Sequence, residues 1–351
     1  MSSIVLTGGG TAGHCIPHLA ILPELHNAFD NIVYVGSQNG IEKQLMENET
    51  DYFSIPTVKF RRKFTLRNLA IPFKLIKAEK EAGKVLKKIK PDVVFSKGGY
   101  VSLPVVLAAH KLKIPVVAHE SDYSPGLTTK LTAKYCDVVL TTFEDTALKL
   151  KNGYYTGSPI REGLFYADRR VALKRFSFGD EKPVLLIFGG SGGSRKINLV
   201  TQQTIEKLTE KYYVLHICGR GNTCINKTVN GYYQTEYVSD MASCFKIADM
   251  CVSRGGSNAL SELMAFKIPT LVIPLGKGES RGDQIENAEY FSRRGMCNVL
   301  ADENLSPETF LSAVKTLDKS KNWLCDNINA HPSVVGNRKI ADILCAYSKK
   351  V

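Results

Sequence analysis

No apolar run in the 351 residues is long enough to cross a bilayer; the best window, Leu103 to Ala118, is broken by His110, Lys111 and Lys113. The chain opens Met1-Ser2-Ser3-Ile4-Val5-Leu6-Thr7-Gly8, with neither the basic region nor the apolar stretch of a secretory leader, so none is expected. Nine cysteines are scattered without a Cys-x-x-Cys pair, which supports neither a zinc site nor a disulfide framework. Free thiols in a reducing compartment are the expectation. No Asp-x-Asp pair occurs, so a divalent cation held by clustered carboxylates is not expected. The sequence calls for no metal and no cofactor. At 44% hydrophobic and 23% charged residues, composition excludes a disordered, collagenous or disulfide-stapled chain.

Positive charge is in excess, and it is concentrated. Twelve Lys or Arg lie between Lys59 and Lys90 against Glu79 and Glu81 alone, which places +10 of the net +12 in that stretch. One local basic surface is expected, on a protein otherwise close to neutral. Within it, Phe60, Arg61, Arg62, Phe64, Leu66 and Phe73 mix apolar with cationic side chains, as suits an anionic membrane surface. A solvated helix face over Lys80–Lys90 is the plain alternative. No nucleic-acid-binding motif accompanies the charge, so nucleic acid is not expected as a partner.

The length suggests about two domains. Short β-branched runs alternate with helical patterns, with strands expected at Ile4–Thr7, Ile32–Val35, Val93–Phe95, Pro115–Ala118 and Val138–Thr141. A second set follows at Val184–Phe188, Tyr213–Ile217, Met250–Ser253, Thr270–Ile273 and Asn298–Leu300. Near-continuous apolar strands separated by helices predict an α/β fold with parallel sheets covered on both faces. Both halves begin alike: a strand runs into Gly8-Gly9-Gly10-Thr11-Ala12-Gly13 in one and into Gly189-Gly190-Ser191-Gly192-Gly193-Ser194 in the other. That repetition predicts two Rossmann-like domains, with the breakers Gly157-Ser158-Pro159 between them.

Gly8, Gly10 and Gly13 fit G-x-G-x-x-G, but the second strand ends Val35-Gly36-Ser37 without the carboxylate that would hold a dinucleotide's ribose. The second loop has Arg195 in place of the third glycine. A nicotinamide dehydrogenase is therefore disfavoured. What remains is backbone able to approach an anion at helix N-termini, or a tight turn serving packing alone. His14 opens the first helix, where the dipole favours a neutral imidazole able to accept a proton; a first-turn polar residue satisfying local hydrogen bonds is the rival. In Arg254-Gly255-Gly256-Ser257-Asn258-Ala259-Leu260-Ser261-Glu262, free N–H groups face an anion, and Glu262 either receives ribose hydroxyls or offsets the helix dipole. Arg161 forks onto a phosphate or stands solvated.

Together these residues resemble the MurG family of peptidoglycan glycosyltransferases, over essentially the whole chain. The landmarks are Gly8–His14, Lys97–Ser102, His119-Glu120-Ser121-Asp122, Gly126-Leu127-Thr128, Gly157–Arg161, Gly189–Gly193, Arg254–Ser257 and Arg281-Gly282-Asp283-Gln284. The resemblance implies a GT-B fold, two Rossmann-like domains with parallel sheets facing across a cleft. Residues 1–160, joined by 334–351, would form the acceptor and membrane-side domain, and 161–333 the UDP-sugar domain. It implies inverting transfer of N-acetylglucosamine from UDP-N-acetylglucosamine to the C4 hydroxyl of a lipid-linked muramoyl-pentapeptide, at the cytoplasmic face of the cell membrane. By position, Thr11, Ala12 and Gly13 would line the site, with His14 as candidate base or positioning group. Arg161 and Ser191 would meet the diphosphate, Val238 the uracil, Gly256, Ser257, Asn258 and Ala259 the nucleotide, Glu262 the ribose and Gln284 the sugar. Ser121-Asp122 replaces a Gln-Asn pair of some members, which makes Asp122 a second candidate base. A UDP-N-acetylglucosamine 2-epimerase, another lipid glycosyltransferase and a non-catalytic recruiting subunit are the rival readings.

Overall fold

The computed structural model describes residues 2–58, 71–190, 192–222, 229–276 and 278–349. The chain divides into two compact units, Met1–Arg161 with Val335–Val351, and Glu162–Val334.

Among the described residues the first unit carries seven parallel strands: β1 (Ser3–Thr7), β2 (Asn31–Ser37), β3 (Asp51–Ile55), β4 (Val93–Ser96), β5 (Val116–Glu120), β6 (Val138–Thr141) and β7 (Gly153–Tyr155). Their spatial order is β3-β2-β1-β4-β5-β6-β7. Side chains alternate across a strand, and both faces of this sheet are covered, so β1 is apolar at consecutive positions. Ile4 and Leu6 pack with Ile21 and Leu25 of the helix Ala12–His26 and with Ile340 and Leu344 of the final helix, Asn337–Ser348. Val5 points the other way, into a cluster with Ala82, Leu86, Val105 and Val106. The final helix is stitched to this unit by Asn337, whose amide oxygen accepts the Ile160 N–H at 2.8 Å while its NH2 donates to the carbonyls of Ala20 and Ile160.

The described residues of the second unit form six parallel strands: β8 (Val184–Phe188), β9 (Tyr213–Ile217), β10 (Tyr232–Thr235), β11 (Met250–Ser253), β12 (Thr270–Val272) and β13 (Asn298–Val299). They are ordered β10-β9-β8-β11-β12-β13. Leu185, Ile187, Val214 and Val252 meet Ile197 and Leu208 of the helix Arg195–Thr209, and Phe310 and Leu317 of the helix Pro307–Ala330.

Three strands add to those expected from sequence: β3, β7 and β10. All three are outer strands. An outer strand is covered less completely, and these three are mostly half-buried or exposed, so DYFSI, GYY and YYQT lack the apolar run that marks a central parallel strand. In each unit the strand order reverses beside the first strand, between β1 and β4 and between β8 and β11. Ligands of open parallel sheets bind outside the carboxyl ends of the strands at such a reversal.

Candidate active site

In the first unit, the loop Gly8–Thr11 leaves β1 at this reversal, and Lys97-Gly98-Gly99 leaves β4 beside it. The two loops meet backbone to backbone. At Gly99 (φ +76°) a Cβ would stand 2.1 Å from the Gly9 carbonyl oxygen, and at Gly10 (φ +87°) one would stand 2.4 Å from the Tyr100 ring. Only glycine serves at such positions. Thr11 ends the loop as N-cap of the helix Ala12–His26, but its hydroxyl does not cap that helix. It lies 2.8 Å from Nδ1 of His14 instead. For His14 to accept a proton at Nε2, Nδ1–H must donate to Thr11. The half-buried imidazole also borders Gly98, with Cδ2 3.8 Å from where a Cβ would stand. Asp122 is half-buried in the turn after β5. Glu120 builds that turn, its two carboxylate oxygens accepting the Asp122 and Gly126 N–H groups at 3.0 and 2.9 Å.

A group that sequence reasoning missed governs the first loop. Glu42, in the helix Ile41–Met46, is fully buried. Its carboxylate accepts the Gly10 N–H and the Ser37 N–H, each at 3.2 Å, and the Ser37 hydroxyl. The first glycine loop therefore already holds a negative charge, one supplied by the protein. Burial first, and the Glu42 charge next, push the Cys15 thiol up to about 12 and raise the Tyr100 phenol. The carboxylate sought at the end of β2 lies five residues beyond it and bonds to the loop itself.

In the second unit the corresponding loop is open. A Cβ at Gly190 (φ +87°) or at Gly192 would meet nothing within 4 Å. Gly193 (φ +72°) is locked, since its Cβ would stand 1.9 Å from the Cys218 carbonyl oxygen. Ser194 caps the helix Arg195–Thr209 by accepting the Ile197 N–H at 3.4 Å. Ser194 also receives Nε and Nη2 of Arg254 at 3.1 and 2.7 Å. Arg254 is buried, and its Nη1 reaches Asp302 at 2.6 Å and the Ile273 carbonyl at 3.0 Å. Burial pushes the Asp302 carboxyl up, but hydrogen bonds from Lys196 and Arg254 reverse this and leave it below the usual carboxylate range. Arg254 thus ties the end of β11 to the glycine loop.

Gly256 precedes the helix Ser257–Ala265, whose first turn carries no side-chain cap, and space is open around Gly256. Asn258, Ala259 and Glu262 are half-buried on this helix, and Ser257 is buried. Val238 is buried in the turn before the helix Met241–Ile247. Gln284 accepts the Gly255 and Leu275 N–H groups at 3.2 and 3.0 Å through its amide oxygen, which leaves its NH2 to donate elsewhere. The structure therefore gathers Thr11, Ala12, Gly13, His14 and Asp122 around the first reversal. Gly256, Ser257, Asn258, Ala259, Glu262 and Gln284 gather by the second. Arg161 is half-buried at the end of the first unit's main segment.

Ser191 lies outside the described residues, as do Phe60, Arg61, Arg62, Phe64 and Leu66. Of the surface set, Phe73 is described: it is 76% exposed on the helix Ile71–Ile89. Ala78, Ala82 and Leu86 bury one stripe of that helix, while Phe73, Lys74, Ile76 and Lys77 stand exposed in the turns before it. Among the described residues no helix is long and apolar enough to cross a membrane, and no group of three or more His, Cys, Asp or Glu could hold a metal.

Two family models match the chain: the glycosyltransferase family 28 N-terminal domain over residues 4–141, and the family 28 C-terminal domain over residues 184–342. A Clostridium botulinum protein is 42% identical over 354 residues, covering 99% of this chain and all of that protein. Its name is UDP-N-acetylglucosamine–N-acetylmuramyl-(pentapeptide) pyrophosphoryl-undecaprenol N-acetylglucosamine transferase. A Clostridium kluyveri protein of the same name is 43% identical over 352 residues, with 99% and 100% of the two chains covered. Among solved structures, Acinetobacter baumannii MurG matches with a TM-score of 0.78 at 23% identity over 98% of this chain and 99% of that one. That last likeness shows the fold, which is GT-B. The chain belongs to glycosyltransferase family 28.

Proposed function

We propose that the chain transfers N-acetylglucosamine from UDP-N-acetylglucosamine to the C4 hydroxyl of undecaprenyl-pyrophosphoryl-N-acetylmuramoyl-pentapeptide, with inversion at the sugar's C1. The observation that carries this reading is the full-length likeness, at 42% identity, to a transferase named for that donor and acceptor.

The second unit takes the nucleotide. The open positions Gly190 and Gly192 and the uncapped helix start at Ser257 offer N–H groups and the positive end of a helix dipole to the diphosphate, as Arg161 offers a fork. Ser191 belongs to the same set by position. Val238 meets the uracil, Glu262 accepts the ribose hydroxyls, and the NH2 of Gln284 donates to the sugar. The first unit supplies the base. The acceptor O–H gives its proton to His14 or Asp122 while its oxygen attacks C1; the C1–O bond to the diphosphate breaks and UDP departs. General-base assistance of this kind is worth about 10²–10⁴-fold. Donors aimed at the diphosphate stabilise the charge that develops on it. Phe73 and Ile76, flanked by lysines, seat the first unit on the anionic cytoplasmic leaflet.

The test follows UDP release from UDP-N-acetylglucosamine with and without a short-chain lipid-linked muramoyl-pentapeptide. Release only with acceptor, together with a disaccharide product by mass, is expected. Equal release without acceptor contradicts the transfer and favours an epimerase or hydrolase.

A further inference from the structure

Lys97 follows β4 directly at the first unit's strand reversal, only 3% exposed. An ammonium there is costly unless a negative charge compensates it. Its Nζ donates to Nδ1 of His119 at 2.6 Å and to Oγ of Ser121 at 2.8 Å, and both partners are uncharged. The opposite side of the His119 ring is fixed, since Nε2–H donates to the Gly157 carbonyl at 2.9 Å. That bond commits the imidazole to the tautomer whose Nδ1 accepts. Burial, then the Lys97 charge, hold His119 well below its ordinary value.

The other groups facing this ammonium are few. From the helix Ala12–His26 comes His18, held at about 3 by burial first and Lys97 next, so it is neutral. His14 on the same helix borders Gly98. From β5 and its turn come Glu120 and Asp122. Burial pulls Lys97 down to about 7, and these two carboxylates oppose it. Both oxygens of Glu120 are engaged with backbone N–H groups of its own turn. A change of charge at Lys97 reaches Glu120 and then Asp122, and Asp122 is the residue after the Ser121 that Lys97 holds.

We propose that Lys97 is a positioning residue for Asp122: braced by His119, its ammonium seats the Ser121-Asp122 turn and keeps the Asp122 carboxylate ionised to accept the acceptor's proton. This rests on the proposed transfer, with Asp122 as its base.

Two readouts test it on the full chain. The first follows the Asp122 carboxyl carbon by NMR as pH is varied, the signal being assigned by its loss in Asp122→Asn. In Lys97→Met its midpoint rises by about one pH unit, the low end of what a nearby opposite charge contributes; in Lys97→Arg it stays near the wild-type value. Lys97→Gln, which retains a donor for His119, replaces the Met variant if that one does not fold. The second is the pH profile of kcat/KM for UDP release. Its acid limb moves up in Lys97→Met by the same amount, and this displacement vanishes in an Asp122→Asn background. An unmoved Asp122 midpoint overturns the proposal, as does an acid limb still displaced without Asp122. A uniform loss of rate with an unchanged profile marks Lys97 as merely structural and also overturns it. If the wild-type protein transfers nothing, the functional reading falls, and the carboxyl titration still decides whether Lys97 governs Asp122.

Discussion

The two glycine loops are nearly interchangeable on paper and opposite in use. Gly8–Gly13 and Gly189–Gly193 each leave the first strand of a parallel sheet beside a reversal of strand order. The first is closed from within: Glu42 takes the Gly10 N–H, and the Tyr100 ring crowds the same glycine. The second is empty around Gly190 and Gly192 and braced from beneath by Arg254 on Ser194. A glycine-rich turn guarantees close approach of backbone but does not say what approaches. In the first unit it is the protein's own carboxylate, and the loop presents His14. In the second, a Cβ at Gly190 or Gly192 would meet nothing within 4 Å, and that is the space proposed for the diphosphate.

The largest effect expected from this contrast is at His14. His14→Ala should lower turnover by about 10²–10⁴-fold while UDP affinity stays unchanged. If Asp122 is the base, the loss falls on Asp122→Asn instead; steady-state rates and UDP titration of the two variants separate these roles. Next comes Glu42→Ala, which strands the Gly10 and Ser37 N–H groups. The Ser37 N–H is buried and the Gly10 N–H half-buried; with each orphan costing about 1–3 kcal/mol, the variant should lower the unfolding free energy by about 2–6 kcal/mol in urea. Gly190→Ala, with open space around it, should cost only the strain of its left-handed backbone, about 1–2 kcal/mol.

The smallest effect is an acid slope. Each unit buries a neutral histidine, His18 held at about 3 and His216 at about 4, both chiefly by burial. Unfolded, each takes up its proton near 6.5. Their contribution to stability is complete above that pH and is lost as pH falls, ending at about 4 for His216 and continuing to about 3 for His18. Urea unfolding at successively lower pH should show a shallower decline in His18→Gln and in His216→Gln, the former remaining shallower to the lower pH.

Central strands were legible because burial on both faces writes an unbroken apolar run, as in Val184–Phe188. The outer strands β3, β7 and β10 were not, since half-covered strands carry mixed residues. Both glycine loops and the helix after Gly256 were legible as local patterns. Glu42 was not, because its role depends on Gly10, thirty-two residues earlier in the chain. Lys97 left a faint trace, a cation closing the apolar strand Val93–Ser96, but its partners His119 and Ser121 come together only through the pairing of β4 with β5. Arg254 read as part of an anion-facing turn, whereas its guanidinium is spent on Ser194, Ile273 and Asp302. Tertiary polar networks are what a single sequence conceals.

The division of labour between the loops is tested most directly by calorimetric titration of UDP into the wild-type protein, Gly190→Ala and Glu42→Gln. A methyl at Gly190 projects into the space assigned to the diphosphate and should weaken binding by about tenfold, or about 1.4 kcal/mol. Glu42→Gln removes the charge held by the other loop and should leave UDP affinity unchanged. Weakened binding in Glu42→Gln with undiminished binding in Gly190→Ala would place the nucleotide on the first loop and contradict the account.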